Sequence, residues 1–465
     1  MANTKSLVII GSGPGGYVAA VRAAQLGLKV TVIEKNGLGG VCLQHGCIPT
    51  KSILHSARVY NTVRNASSYG INCSEIGFDF YTIMKRKDDM VALNEKGIAN
   101  LIEKHKIKII RGEARLLSPN RIEITAQNGL TSEIDADYII IATGSSSTIP
   151  SFIPADRERI FDSEGALLLQ SLPESLIILG GGVLGCEFAS FFNALGSEVT
   201  IVEQLQTILP GWDQDICRTV ASSFRKRGII VKTGARVVDV QSTNESGDVT
   251  VSLESGEKVS AKCCLVAFGR TPNIENIGLE IAGIKLWNGK FRGIQVNEFL
   301  QTNVPSIYAI GDVTGIRQLA HVASHQGITA VEHMCGKATP MIYDEIPDCY
   351  YGEPECASIG LTEQEALESK NEIAKSKIFY RSFGITHVLG ETDGFVKVIA
   401  EKESGKVLGV HICGHDAPVM ISEASVIVAN GLTVDDIGEV IHPHPTLGEI
   451  LMEGIQAVRG MNIHG

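Results

Sequence analysis

No stretch of this 465-residue chain holds the roughly 18 uninterrupted apolar residues of a membrane span. No span is therefore expected. Basic residues do not dominate either: 41 Lys and Arg stand against 52 Asp and Glu, a formal charge of −11. That balance argues against nucleic acid or an anionic membrane as partner and favours a basic protein surface. There is no low-complexity segment. The opening Met1-Ala2-Asn3-Thr4-Lys5-Ser6 runs straight into an apolar stretch, so no signal peptide is expected. Eleven cysteines without an export signal fit a reducing cytosol, so a cytoplasmic location is expected. In that setting a close cysteine pair is more often catalytic or metal-binding than a structural staple. One such pair is present, Cys42 and Cys47. The other cysteines, such as Cys263, Cys264, Cys349 and Cys413, read as small core hydrophobes. No metal site is assigned.

Glycine, by contrast, is plentiful. Forty-nine glycines and 44% apolar residues suit an α/β protein with many tight turns, long enough for two to four domains. Two glycine fingerprints stand out. Gly11-Ser12-Gly13-Pro14-Gly15-Gly16 follows the strand-like Leu7-Val8-Ile9-Ile10, and Gly180-Gly181-Gly182-Val183-Leu184-Gly185 follows Leu176-Ile177-Ile178-Leu179. Each has an acid 23 positions after its first glycine, Glu34 and Glu203, closing a second strand-like run. One such motif is weak. Two in strand–turn–helix–strand context, with both acids in register, indicate two dinucleotide sites. The pyrophosphate of each would sit on the unpaired N–H groups of a helix start, and the acid would meet ribose hydroxyls.

The same pattern orders the chain. Residues 1–148 read as a first dinucleotide-binding unit ending in Tyr138-Ile139-Ile140-Ile141-Ala142-Thr143-Gly144. Residues 149–270 repeat the plan and end in Cys264-Leu265-Val266-Ala267-Phe268-Gly269. Residues 271–343, with Ile307-Tyr308-Ala309-Ile310-Gly311-Asp312, read as a return to the first unit. From residue 344 to 465 the pattern alternates, as in Phe395-Val396-Lys397-Val398-Ile399, which predicts an antiparallel sheet with helices. The expected fold class is α/β: two Rossmann-like dinucleotide-binding domains and a C-terminal α+β domain.

Gly39-Gly40-Val41-Cys42-Leu43-Gln44-His45-Gly46-Cys47-Ile48-Pro49-Thr50-Lys51 is the most specific stretch. Residues five apart on a regular helix lie about 7.5 Å apart along the axis, whereas bridged cysteines want Cα atoms about 4.4–6.8 Å apart. Cys42 and Cys47 can therefore bridge only across a distorted turn, for which Gly46 and Pro49 supply breaks. The alternative is two unrelated buried thiols. Lys51 is four residues beyond Cys47, so on a helix it shares that face; read alone it is a solvated lysine. Read alone, Glu187 is a carboxylate at a helix start. Of the histidines near the C-terminus, His442 and His444 alternate with Pro443 and Pro445 and could simply shape a loop. Thr446 and Glu449 fit a capping box.

The stretch from Gly39 to Lys51 resembles the active-site segment of the flavoprotein pyridine nucleotide-disulfide oxidoreductases. Its Ile48-Pro49-Thr50-Lys51 ending resembles the branch that oxidises dihydrolipoyl groups. The resemblance covers essentially the whole chain: Ala142-Thr143-Gly144, Gly311-Asp312, Leu319-Ala320-His321 and His442-Pro443-His444-Pro445-Thr446-Leu447-Gly448-Glu449 stand where that family has its motifs. It implies FAD at the first fingerprint, NAD at the second, and a homodimer formed through residues 344–465. FAD contacts are implied for Gly11, Gly13, Gly15, Gly16, Glu34, Lys35, Gly40, Val41, Lys51, Thr143, Gly144, Ser145, Leu319, Ala320 and His321, with Ala114 near the adenine and Gly311 and Asp312 at the ribityl chain. NAD contacts are implied for Gly180, Gly182, Gly185, Glu203, Val237 and Gly269.

The resemblance also implies roles. Cys42 and Cys47 form a redox-active disulfide, with Cys42 the interchange thiol and Cys47 against the flavin. Lys51 sits by the flavin, paired with Glu187. His444 is the base, oriented by Glu449, and serves the disulfide of the partner subunit; thiol–disulfide exchange releases protons, and histidine suits that task near neutral pH. The implied partner is a lipoylated acyltransferase or lipoyl-carrier protein of a 2-oxoacid dehydrogenase or glycine cleavage system. Glutathione-type relatives use NADP and need cations near the second ribose, yet after Glu203 no Arg or Lys occurs before Arg218. Mercuric-type relatives need a C-terminal cysteine pair, and no cysteine follows Cys413. The chain departs from the family pattern at Gln44-His45, where Asn-Val is more usual, at Tyr351-Gly352-Glu353-Pro354-Glu355 and at Ala417-Pro418-Val419-Met420.

Overall fold

The computed structural model describes residues 4–242, 248–288, 292–369 and 372–465. Met1–Asn3 of the opening segment lie outside them. Two five-stranded parallel sheets repeat one plan. The first runs in the order Ile307–Ala309, Tyr138–Ile141, Ser6–Ile10, Lys29–Glu34, Lys108–Arg111. The second runs Ile230–Lys232, Glu198–Val202, Ser175–Leu179, Cys263–Val266, Ile160–Phe161. The central strands are continuous apolar runs with almost no exposure, as parallel strands covered on both faces must be. Each unit also carries a three-stranded antiparallel meander, Glu113–Ser118 to Thr131–Asp135 in one and Val237–Ser242 to Lys258–Ala261 in the other.

Helices α1 (Pro14–Gln25), α2 (Gly40–Gln44), α3 (Cys47–Arg64) and α4 (Phe80–Lys104) follow the first fingerprint. Helices α5 (Ser163–Ala166), α6 (Val183–Ala194) and α7 (Gln214–Lys226) belong to the second unit, and α8 (Ala320–Met334) packs back on α1. Pro49 does not break the chain as expected. It is the third residue of α3, where its missing N–H would have had no helical partner. Gly46 alone makes the break, as the residue preceding α3.

The C-terminal sheet is antiparallel, ordered Asp348–Tyr350, Cys356–Gly360, Val407–Cys413, Phe395–Glu401, Ile373–Phe379. Alternation places Lys397 on a wet face, but the strand is covered on both sides and the Lys397 side chain is only 4% exposed. Its ammonium meets Asp213 at 2.9 Å, Asp215 at 3.0 Å and Glu363 at 2.7 Å. Lys377 pairs with Asp215 at 3.1 Å, and Lys375 with Glu363. Three lysines thus balance three acids, in a seam that ties the start of α7 to the C-terminal sheet. Among the described residues no helix is long and apolar enough to cross a membrane.

Candidate active site

The two glycine turns are built alike. A Cβ on Gly11 or Gly180 would stand 2.4 Å from the carbonyl oxygen of Ala142 or Ala267. A Cβ on Gly16 would meet the Gly11 carbonyl oxygen at 2.0 Å, and one on Gly185 that of Gly180 at 2.1 Å. The middle glycines are different. A Cβ on Gly13 would find its nearest neighbour at 4.0 Å, and one on Gly182 nothing within 4 Å. The outer glycines are therefore needed for packing, and the middle ones leave backbone approachable. Neither α1 nor α6 has a side-chain cap, so their first N–H groups keep their hydrogen-bonding capacity at the positive helix end. Such a cradle fits a pyrophosphate, and the chain has two.

The acids match as well. Glu34 accepts hydrogen bonds from the Ser12 N–H at 2.8 Å, the Ser12 hydroxyl at 2.6 Å and the Asn36 N–H at 2.8 Å. Glu203 accepts from the Gly181 and Leu205 N–H groups, both at 2.7 Å. The backbone donors occupy the same two positions in each copy. A carboxylate offers about four lone-pair sites, so both acids retain capacity for a ribose hydroxyl.

The remaining cofactor-side residues gather around these turns to differing degrees. Gly15 packs against α8, and Gly40 approaches Gly13 so closely that a Cβ would lie 2.6 Å from its Cα. Thr143 donates to the Asn273 carbonyl, and the Gly144 carbonyl accepts from the Asn273 N–H. The Ser145 hydroxyl donates to Asp312, whose carboxyl burial nevertheless pushes up. Leu319 precedes α8 and Ala320 begins it. His321 donates to the Pro347 carbonyl at 3.0 Å, and burial lowers its pKa. Ala114 packs against the first core, Val41 is exposed, Val237 opens a meander strand, and the Gly269 carbonyl accepts from Thr148. Lys35 reaches the exposed Glu113, at 3.4 Å. Sequence reasoning missed Gln326. It is fully buried and accepts from the Gly311 N–H at 2.6 Å while its amide donates to the Tyr343 hydroxyl. A glutamine on the Val322-Ala323-Gly327-Ala330 stripe was the available signal.

The thiols sit on two helices. Cys42 is in α2, and Cys47 is the first residue of α3. The two sulfurs are unbridged in this structure and share a hydrogen bond. That bond, with burial, raises the Cys42 thiol. Cys47 is lowered, first by the bond from Cys42 and then by the Lys51 ammonium, against burial and Glu187. Lys51 meets both Glu187 oxygens at 3.0 Å, and the Glu187 side chain is buried on α6. The ion pair thus ties the redox helix to the second glycine turn.

His444 lies on the C-terminal loop, its side chain 81% exposed. Its Nδ1 donates to Glu449 Oε1 at 2.8 Å, which leaves Nε2 with the lone pair of a base. Glu449 Oε2 accepts from the Thr446 N–H at 2.8 Å, but the Thr446 hydroxyl turns to the Pro443 carbonyl, so only half of the expected capping box forms. Burial raises the Glu449 carboxyl, yet Thr446 and His444 outweigh it and hold it below the usual range. His442 is different. It is 6% exposed, and both ring nitrogens face oxygens, of Glu423 at 2.8 Å and of Val440 at 3.2 Å. Neither nitrogen is open to a substrate.

His45 sits on the exposed lip between the cysteines, 3.5 Å from Glu164 of α5, with both side chains nearly half exposed. Exposed pairs of this kind contribute about 0–1 kcal/mol. His45→Val is expected to keep most of the turnover and to shift its pH profile by well under a unit. A loss like that of His444→Gln, measured in the same assay, would make His45 a second base. Elsewhere Glu355, His415 and Asp416 approach within 4.8 Å of one another. Arg58 and the Asp416 N–H already occupy the Glu355 oxygens.

Residues 5–327 match the family model described as pyridine nucleotide-disulphide oxidoreductase, and residues 346–455 match its dimerisation domain. The chain is 42% identical to a dihydrolipoyl dehydrogenase of Bacillus subtilis, covering 100% of both. It is 37% identical to the mitochondrial dihydrolipoyl dehydrogenase of Pisum sativum, covering 100% of this chain and 93% of the relative. Among solved structures it resembles LpdA from Mycobacterium tuberculosis, with TM-score 0.92, 29% identity, and coverage of 98% of this chain and 100% of the other. The hypochlorous-acid-induced flavoprotein disulfide reductase RclA from Escherichia coli, in a copper(II) complex, aligns with TM-score 0.88 and 28% identity over 98% of this chain and 100% of the other.

Proposed function

The chain belongs to the pyridine nucleotide-disulphide oxidoreductase family, and we propose that residues 1–148 with 271–343 hold FAD, that 149–270 hold NAD and that 344–465 form the dimer interface. The activity is dihydrolipoyl dehydrogenation: two thiols of a dihydrolipoyl group are oxidised to a disulfide and NAD is reduced. The dimerisation-domain match makes the protein a homodimer. The observation that carries the site assignment is the hydrogen-bonded Cys42–Cys47 pair, held beside Lys51 and Glu187 between two pyrophosphate cradles.

In the oxidised enzyme Cys42 and Cys47 are joined. A dihydrolipoyl thiolate attacks the Cys42 sulfur, and the S–S bond breaks toward Cys47. Cys47 leaves beside the Lys51 ammonium, which favours its thiolate, and a lower leaving-group pKa speeds exchange. His444 Nε2 of the partner chain takes the proton of the second dihydrolipoyl thiol. That sulfur attacks the first, closing the lipoyl disulfide and releasing Cys42, to which His444 returns the proton. A Cys42 thiol and a Cys47 thiolate have then replaced one disulfide. FAD, when bound at the first cradle, would supply the acceptor for the electron pair of the two cysteines, and NAD at the second would supply the hydride acceptor beyond it. Lys51 holds positive charge beside Cys47, and Glu187 keeps Lys51 in place.

A purified, FAD-loaded sample assayed with dihydrolipoamide and NAD tests this reading. Turnover no better than that of a flavin-only diaphorase overturns it. The lipoyl group is carried by an acyltransferase or lipoyl-carrier protein of a 2-oxoacid dehydrogenase or glycine cleavage system; the −11 charge supports a basic docking surface on it. Eleven cysteines fit a reducing cytoplasm.

Nucleotide choice follows from Glu203. The 2′-phosphate of NADP would meet its carboxylate, and juxtaposed like charges cost several kcal/mol. Catalytic efficiency with NADP is therefore expected to be at least about 100-fold lower than with NAD. Equal efficiencies in steady-state assays would remove Glu203 from this role.

A further inference from the structure

Tyr351 stands in a segment that departs from the family pattern, and it touches both members of the Lys51–Glu187 pair. Lys51 Nζ lies 4.6 Å from the centre of the Tyr351 ring. The Tyr351 N–H donates to Glu187 Oε1 at 3.1 Å. The ring thus faces the cation while the backbone holds the anion. We propose that Tyr351 is a positioning residue: its ring face fixes the Lys51 ammonium beside Cys47.

The residue is itself held firmly. It follows the strand Asp348–Tyr350, and Tyr350 is fully buried. The Tyr350 hydroxyl lies 3.2 Å from Ser190 Oγ and donates to the Cys186 carbonyl, both on α6. Glu187 is on the same helix, so strand, α6 and α3 converge on one ammonium. That ammonium has three donors. Glu187 takes two of its directions, and the aromatic face shields another side from water. A cation over a tyrosine face gains more as water is excluded. Burial also pushes the Tyr351 hydroxyl up to about 12, so the ring stays uncharged through the working range.

Lys51 is what the ring would act through. The charged and titratable groups facing Cys47 are Cys42 on α2, Lys51 on its own helix and Glu187 on α6. Cys349 stands behind, hydrogen-bonded to Tyr351. Of these only Lys51 is a cation, so a looser Lys51 leaves the Cys47 thiolate less favoured.

The inference rests on the assignment of Cys47 above, and its test is separate from turnover. The reduced, FAD-loaded holoenzyme is titrated with pH, and the ultraviolet thiolate absorbance is taken as the difference from a Cys47→Ser holoenzyme. Lys51→Met sets the scale by raising the Cys47 midpoint. Tyr351→Leu is expected to raise it by about half a unit to one unit. Tyr351→Phe, which keeps the ring face, is expected to restore the parent midpoint. Tyr351→Met replaces the leucine variant should that one not fold. A leucine or methionine variant titrating like the parent overturns the proposal, as does a phenylalanine variant shifted as far as leucine. An unmoved Lys51→Met overturns it too. Dihydrolipoamide turnover is measured alongside: its absence in the parent enzyme with the shifts intact would sink the functional reading and leave the positioning role standing.

Discussion

Replacing either Cys42 or Cys47 with serine is expected to abolish dihydrolipoamide turnover while FAD stays bound. A hydroxyl cannot form the S–S bond that the dihydrolipoyl thiolate attacks, and no other described pair is placed beside Lys51 and Glu187. The cradle is built elsewhere, from the Gly11–Gly16 turn, Glu34, the start of α8 and the Gly311–Gln326 contact. The hard redox chemistry belongs to the cofactor and the exchange to the sulfurs. Dye reduction by NADH should therefore survive in both variants. Flavin absorbance after gel filtration and a dihydrolipoamide assay check the two halves of this expectation. Near-normal turnover in either variant would refute the thiol assignment.

The second large effect is expected at the C-terminal loop. A positioned general base is typically worth ~10²–10⁴-fold, so His444→Gln should lose at least tens-fold in dihydrolipoamide turnover. His442→Gln should lose much less, because its nitrogens are already committed to Glu423 and Val440. The exposure of His444 leaves its Nε2 available to a second chain. Mixing inactive Cys42→Ser with impaired His444→Gln subunits checks the sharing. In the mixed dimer one site has both its cysteines and its histidine, and activity should return. No recovery after verified subunit exchange would rule out a site completed by the partner.

Much of this was legible in the sequence because it is local. A glycine turn, the strand before it and the acid closing the next strand lie within one short window, and their spacing follows from backbone geometry. The two cysteines and Lys51 are equally close in the chain. What could not be read depends on distant partners. Lys397 follows the alternation of an exposed strand position, yet acids from two other segments make its burial possible. Tyr351 is only an unusual residue until the fold lays it on Lys51. The pairing of His45 with Glu164 needs α5 to cross the mouth of the redox loop. Pro49 misled because a proline reads as a break wherever helix register is unknown, whereas the first turn tolerates it.

The lysine–carboxylate seam under α7 gives the molecule a preferred side of the thermometer. The hydration of ions becomes less favourable on warming, so the cost of keeping Lys397, Asp213, Asp215 and Glu363 away from water falls as temperature rises. Apolar packing around them weakens on chilling as well. Both forces at this joint fade in the same direction, toward the cold. Hydrogen exchange followed at two temperatures should show the first turn of α7 losing protection relative to the central strands of the first sheet as the sample is cooled. Parallel loss in both places would mean that the seam has no thermal character of its own.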